Sequence, residues 1–137
     1  MQLIAKPGHG QVVALCKHVE KTLPDFLTVR EIEILFRSIS ESDPFELRDK
    51  AIFELLYSCG LRITEAVELR VSDLDFENRY ITITGKGGKE RMVPVSDEAV
   101  RLIRKYLKHS RGEILGDRLS DFAFISKKGS KLNRKSV

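Results

Sequence analysis

The stretch Ala51-Ile-Phe-Glu-Leu-Leu-Tyr57 constrains this chain more than any other. Its apolar residues lie nearly all round a helical wheel. A helix that is apolar on every side must be enclosed by other elements, so this segment reads as the buried centre of a helical fold. The spacing predicts a helix over residues 45–58, stopped by Gly60, as a glycine just past a helix end does. Upstream, Thr28-Val-Arg-Glu31 is a capping box, in which the hydroxyl and the carboxylate satisfy free amides at a helix start. Val29, Ile32, Leu35, Phe36 and Ile39 follow on one helical face, and residues 40–44 read as the break after it. A short helix over residues 64–69 is predicted next, with Thr64 as its N-cap.

Beyond that helix the hydrophobic period changes. Asp73-Leu-Asp-Phe76, Tyr80-Ile-Thr-Ile-Thr84 and Arg91-Met-Val-Pro-Val95 read as three short strands. The middle one alternates apolar and polar residues, as a half-buried strand does. Glu77-Asn78 and Gly85-Lys-Gly-Gly-Lys89 supply the turns, and Pro94 suits only a strand end or an edge. Ser96-Asp-Glu98 opens a fourth helix, to about His109, with its acids where the helix dipole favours them. Asp121-Phe-Ala-Phe-Ile125 reads as one more extended piece, and residues 131–137 begin something helical. The expected fold is mainly α (α+β), helices carrying a small three-stranded antiparallel sheet. Residues 25–137 form the domain. Residues 1–24 read as a connector, with a turn at Pro7-Gly-His-Gly10 and a short helix over residues 11–21 ended by Leu23-Pro24.

Composition narrows the function classes. At 137 residues the chain suits one core, and with 42% hydrophobic and 32% charged residues it is neither a disordered tail nor a membrane protein. No apolar run approaches the roughly 20 residues that span a bilayer. The apolar start ends after Ala5, too short for a signal peptide. Cys16 and Cys59 match no metal or disulfide spacing, so a reduced, cytoplasmic protein without a metal site is expected. Charge is unevenly distributed. Residues 1–100 hold 13 Lys/Arg against 17 Asp/Glu, and residues 101–137 hold 11 against 3. Such asymmetry points to a nucleic-acid partner for one face, or else to a basic solvated helix and tail.

Two segments can carry chemistry. Gly85-Lys-Gly-Gly-Lys-Glu-Arg91 can present amides and ammonium groups to phosphate. It lacks the spacing of a P-loop, and as a bare pattern it is equally a flexible glycine turn. Gly60-Leu-Arg-Ile-Thr-Glu65 places an arginine just before a helix start, where a guanidinium can fork onto a phosphate. The plainer reading is an Arg62–Glu65 surface pair. His9, His18 and His109 have no ligand spacing and form no recognisable triad.

The combination resembles a known family. Leu47-Arg-Asp-Lys-Ala-Ile-Phe-Glu-Leu-Leu-Tyr-Ser-Cys-Gly-Leu-Arg-Ile-Thr-Glu65, then Leu69-Arg-Val-Ser-Asp-Leu74, then Ile83-Thr-Gly-Lys-Gly-Gly-Lys-Glu-Arg-Met-Val-Pro94 strongly resemble the tyrosine recombinases (phage integrases). The wording is most similar to the bacterial Xer-type site-specific recombinases, and Leu23-Pro-Asp-Phe-Leu-Thr28 resembles the entrance to their catalytic domain. The resemblance implies the following roles. Arg62 is the first catalytic arginine, which binds the scissile phosphate, and Glu65 is the acidic neighbour supporting the site. Lys86 is the catalytic lysine of the hairpin, which protonates the leaving 5′-oxygen. Lys89 and Arg91 touch the DNA backbone. The implied partners are double-stranded DNA and homo- or hetero-oligomeric recombinase subunits. No metal, cofactor or membrane is implied.

The family's second arginine with its His-x-x-Arg surroundings, its second His/Trp position and its nucleophilic tyrosine would all follow residue 137. Tyr57, Tyr80 and Tyr106 lie upstream of the nucleophile's place. The resemblance therefore implies the N-terminal half of a recombinase catalytic domain, inactive as these 137 residues alone. The alternative is a catalytically inactive DNA-binding or interaction module of the same fold. An RNA-binding domain fits less well, since no aromatic-rich sheet motif for base stacking is present.

Overall fold

The structure is a computed structural model and describes residues 27–137. The expected connector helix at residues 11–21 lies outside the described residues. Helix α1 (Val29–Ser38) starts as expected: the Thr28 hydroxyl accepts from the Glu31 amide at 3.2 Å, and the Thr28 amide donates to the Glu31 carboxylate at 2.8 Å. Helix α2 (Pro44–Ser58) begins inside the segment read as a break. Asp43 is its N-cap, accepting from the Phe45 and Glu46 amides at 2.9 Å each, and Pro44 stands in the first turn, where no amide is required. Gly60 follows the helix end at φ +67°.

Helix α3 (Ile63–Glu68) starts earlier than the predicted Thr64 cap. Arg62 holds the N-cap position, because the Glu65 carboxylate reaches back to accept from the Arg62 amide at 2.9 Å. Strands β1 (Leu74–Asp75), β2 (Tyr80–Thr84) and β3 (Glu90–Pro94) form an antiparallel sheet in that order, with Thr84 opposite Glu90 and Tyr80 opposite Pro94. β1 is shorter than predicted. A 3-10 turn at Val71–Asp73 precedes it, and after it the Asp75 carboxylate accepts from the Asn78 amide at 3.0 Å, starting the turn.

Ser96 caps helix α4 (Asp97–Lys105), accepting from the Ala99 amide at 3.1 Å. The helix does not stop at His109. It passes through a π-turn at Tyr106–Ser110 and continues as α5 (Arg111–Leu115). The expected extended piece pairs by single bridges, Phe122 with Arg70 and Ile125 with Lys131. Near the end, Arg134–Ser136 makes one 3-10 turn.

Helix α2 is the centre of the core. Leu47, Ala51, Ile52 and Leu55 are fully buried, with Leu102, Ile103, Phe124 and Ile125 in the same cluster. Tyr106 stacks on Phe124 with ring centroids 5.5 Å apart, and its hydroxyl accepts from the Ile125 amide. Burial pushes the Tyr106 phenol up to about 12, so it stays neutral inside the core. Arg48 is also enclosed, only 5% exposed. Its Nε donates to Asp49 at 2.8 Å, its Nη1 donates to the Ile125 carbonyl at 3.0 Å, and its guanidinium lies 5.3 Å from the Phe45 ring centre.

Removing one partner of a buried charge pair strands the other, at a typical cost of about 3–5 kcal/mol. Arg48→Met is therefore expected to lower unfolding stability by about that amount. Urea denaturation followed by circular dichroism measures it. A loss under about 1 kcal/mol would mean that the guanidinium adds nothing over its aliphatic packing.

Candidate functional site

The five residues singled out in the sequence fall on two neighbouring elements. Arg62 and Glu65 belong to the first turn of α3, and Lys86, Lys89 and Arg91 belong to the β2–β3 hairpin. One interaction joins the two elements. The Arg91 guanidinium forks onto the Glu65 carboxylate, Nη1 to Oε1 at 2.9 Å and Nη2 to Oε2 at 3.0 Å. Glu65 thus does two things: it caps the Arg62 amide with one oxygen and grips the hairpin with both. The Arg62–Glu65 contact is a backbone one, and the side-chain partner of Glu65 is Arg91. Arg62 itself is exposed at the mouth of the helix start.

The hairpin turn is shaped by its glycines. The Gly85 amide donates to the Lys89 carbonyl at 2.7 Å, and the Gly88 amide donates to the Gly85 carbonyl at 3.2 Å. Gly87 and Gly88 have φ of +79° and +76°, a region that side-chain-bearing residues rarely adopt. Lys86 and Lys89 stand at the two ends of this turn, exposed and making no ion pair with any described side chain. The arrangement therefore holds three cations, Arg62, Lys86 and Lys89, on a backbone frame locked by a fourth.

The Glu65 carboxyl lies below the usual carboxylate range. Hydrogen bonds from the Arg91 guanidinium contribute most, and the Arg62 amide adds to them, against the opposing effect of burial. Beside it a cleft of about 460 Å³ runs between α3, β2 and the Phe122 bridge, lined among others by Glu65, Arg70, Thr84, Gly85 and Lys131. Arg70 and Lys131 were not singled out from the sequence. They reach this cleft only through long-range packing: Lys131 pairs with Glu68 at 2.8 Å, and Arg70 lies 5.1 Å from the Phe122 ring centre. Among the described residues no group of three His, Cys, Asp or Glu side chains could hold a metal ion, and no helix is long and apolar enough to cross a membrane. Glu68 and Asp73 line the cleft as well, and Lys131 and Arg70 are paired with Glu68 and Asp121, so the cations open to a phosphodiester are Arg62, Lys86 and Lys89 beside the cleft.

Comparison with known proteins points the same way. Residues 25–137 match the model of the Phage integrase family. The chain is 38% identical to Tyrosine recombinase XerD of Pseudomonas aeruginosa over 116 residues, 85% of this chain and 39% of that protein. It is 39% identical to Tyrosine recombinase XerD of Vibrio cholerae over 114 residues, 83% of this chain and 38% of that protein. It spans about two-fifths of the length of these curated relatives. Its fold matches the pre-cleavage complex of XerH site-specific recombinase bound to difH substrate with a TM-score of 0.64. The two are 29% identical, over 81% of this chain and 33% of that one. It also matches the Tn1549 transposon integrase in complex with transposon right end DNA, with a TM-score of 0.62, 25% identical over 80% of this chain and 40% of that one.

The lowered Glu65 pKa sets a pH dependence. An ionised Glu65 holds both Arg91 and the cap, so its contribution is complete above the unfolded carboxyl value of about 4.3. It is lost as pH falls through the lower folded value. The stability difference between the native protein and Glu65→Gln is expected to be constant from pH 7 to about pH 5 and to shrink below that. Thermal melts at several pH values check this, and a difference that stays flat down to pH 2 would contradict it.

Proposed function

Because this chain belongs to the phage integrase family, we propose that it works in site-specific breakage and rejoining of double-stranded DNA. The observation that carries this reading is the Glu65–Arg91 fork, which ties the arginine at the α3 start to the lysines of the hairpin. Arg62 takes the scissile phosphate and stabilises the charge that builds on its oxygens during transfer. A tyrosine hydroxyl attacks the phosphorus, the bond to the 5′-oxygen breaks, and a 3′-phosphotyrosyl link forms. Lys86 gives its proton to the departing 5′-oxygen, a poor leaving group without one. A 5′-hydroxyl from another strand reverses these steps. Lys89 contacts the DNA backbone. Arg91 serves the same backbone with the N–H donors that Glu65 leaves over, while fixing the hairpin.

None of the three tyrosines is the proposed nucleophile. Tyr106 is sealed in the core, Tyr57 packs on Phe36, and the Tyr80 hydroxyl is engaged by Asp75. The chemistry therefore calls on a tyrosine outside this set, as well as on further cationic groups around the phosphate. The setting is a cytoplasmic one, with recombinase subunits, identical or related, as protein partners on DNA.

The 137-residue chain is expected to bind duplex DNA weakly, at about 10⁻⁴–10⁻⁶ M near physiological salt, with little sequence preference and steep salt dependence. It should form no covalent band with a nicked suicide substrate on a denaturing gel. Fluorescence anisotropy at two salt concentrations tests the binding, and affinity that ignores salt would contradict it. The division of labour in the hairpin is tested in a chimera that joins the remaining catalytic segment of a XerD relative after Val137. There Lys86→Ala is expected to slow cleavage about 10²–10⁴-fold with binding nearly intact. A bridging 5′-phosphorothiolate, whose sulfur leaves without a proton, should rescue that variant. Lys89→Ala should weaken binding without phosphorothiolate rescue. The opposite pattern would exchange the two roles.

A further inference from the structure

The excess of positive charge in residues 101–137 is not spread evenly over the surface. Most cations of its first half, Lys108 apart, are engaged by partners within the protein. Arg101 forks onto Glu41 at 2.9 and 3.1 Å and also holds Glu98. Lys105 reaches the same Glu41 at 2.9 Å. Arg111 donates to the carbonyls of Ser120 and Phe122, both at 2.7 Å. Arg104 lies over the Phe76 ring at 5.4 Å. The situation reverses near the end of the chain. Lys127 and Lys128 are exposed and make no ion pair with any described side chain.

These two lysines sit on a stiff support. In the turn at residues 126–130 the Ser126 amide donates to the Ser130 carbonyl and the Gly129 amide to the Ser126 carbonyl, both at 2.8 Å, and the two serine hydroxyls lie 2.9 Å apart. Gly129 has φ of +77° and is packed against Arg118, whose Nε would stand 3.0 Å from any Cβ placed there. Arg118 in turn donates to the Leu115 carbonyl at 2.9 Å. A turn braced in this way presents ammonium groups without the entropic cost of first ordering its backbone.

Its position is equally specific. Arg70, Phe122 and Lys131 line the cleft that contains Thr84 and Gly85, and the same three line the adjoining groove that reaches Lys128 and Gly129. The two clefts, which meet at these three residues, make a depression between Gly85 at the base of the hairpin and Lys128 on the second turn; Glu65, Glu68, Asp73 and Asp121 line it as well, and Lys86, Lys89 and Lys127 lie next to its two ends in sequence.

We propose that the turn at residues 126–130 is a second grip on the DNA backbone, in which Lys127 and Lys128 bind phosphates at the opposite end of this depression from Lys86 and Lys89. The proposal rests on the DNA reading above and adds a separate contact to it. Two rigid cationic turns fix a duplex in direction as well as in place, which a single hairpin cannot do.

The test is a salt series of fluorescence anisotropy on the 137-residue chain with a labelled duplex. Each phosphate contact adds about 0.9 to the slope of log affinity against log salt. Lys127→Ala with Lys128→Ala is expected to lower that slope by about 1.8. The charge-conserving pair Lys127→Arg with Lys128→Arg should keep it. A control of equal charge loss, Arg30→Ala with Lys108→Ala, removes two exposed cations elsewhere and should leave the slope in place. If the control lowers the slope as much, or the turn pair leaves it unchanged, the proposal is overturned. If the slope falls only for Lys86→Ala with Lys89→Ala, the DNA reading survives and the second grip does not. If the native chain shows no binding at low salt, both fall together.

Discussion

Along Leu47, Ala51, Ile52 and Leu55, helix α2 is closed to water, and the rest of the chain is arranged to cover that side, while Tyr57 and Ser58 at its end remain exposed. Each element against the buried side must bring an apolar stripe to it. Helix α4 does so with Leu102 and Ile103, the π-turn with Tyr106, and the extended piece after α5 with Phe124 and Ile125. The Arg48 guanidinium adds direction to this packing. A charge in such a place is tolerated only when its donors are answered, and one of them is answered by the Ile125 carbonyl. Sliding the extended piece by one residue would turn that carbonyl away, so the arginine selects a register that greasy contacts alone would leave open.

That register matters because the same extended piece forms one wall of the cleft beside α3 and β2. Phe122 bridges to Arg70 just beyond α3, and α3 starts at Arg62. The core therefore positions the arginine from one side, while Glu65 and Arg91 clamp the hairpin from the other. A site made of cations faces a standing difficulty, since its members repel one another and prefer to spread apart. Here one carboxylate, Glu65, holds Arg91 and the Arg62 amide together and so sets the two elements beside each other.

Much of this was legible in the residues. The buried helix, the Thr28 capping box, the alternating β2 and the glycine turn each rest on local rules, and each stands where the pattern put it. The departures have a common cause. Thr64 has the right chemistry for an N-cap, yet Arg62 takes the position because Glu65 can reach back to it and is held there by Arg91 from 26 residues away. Residues 40–44 read as a break because proline ends helices, but proline also opens them, and the Asp43 cap decides between the two. The extension through Tyr106–Ser110 depends on the ring stack with Phe124 and on Arg111 reaching the carbonyls of the extended piece. The plain surface pair Arg62–Glu65 was a natural reading of neighbours in sequence. It was displaced by a strand partner that no local pattern announces.

Charge is where the linear and the folded readings differ most. Counted along the chain, residues 101–137 are strongly basic, 11 Lys/Arg against 3 Asp/Glu. In the fold, Glu41 draws Lys50, Arg101 and Lys105 onto itself and is held far below the usual carboxylate range by them. That cluster binds the loop after α1 to α2 and α4, and its cations no longer act outward. Screening in physiological salt reaches within about 8 Å, so what a polyanion meets is the local balance and not the net charge. Lys86, Lys89, Lys127 and Lys128, which have no ion pair with any described side chain, all stand at glycine-bearing turns. Both turns, at Gly87-Gly88 and at Gly129, are made tight by glycines with positive φ. The tight turns thus set these lysines apart from the helical acids, Glu41 and Glu98, that hold Arg101 and Lys105.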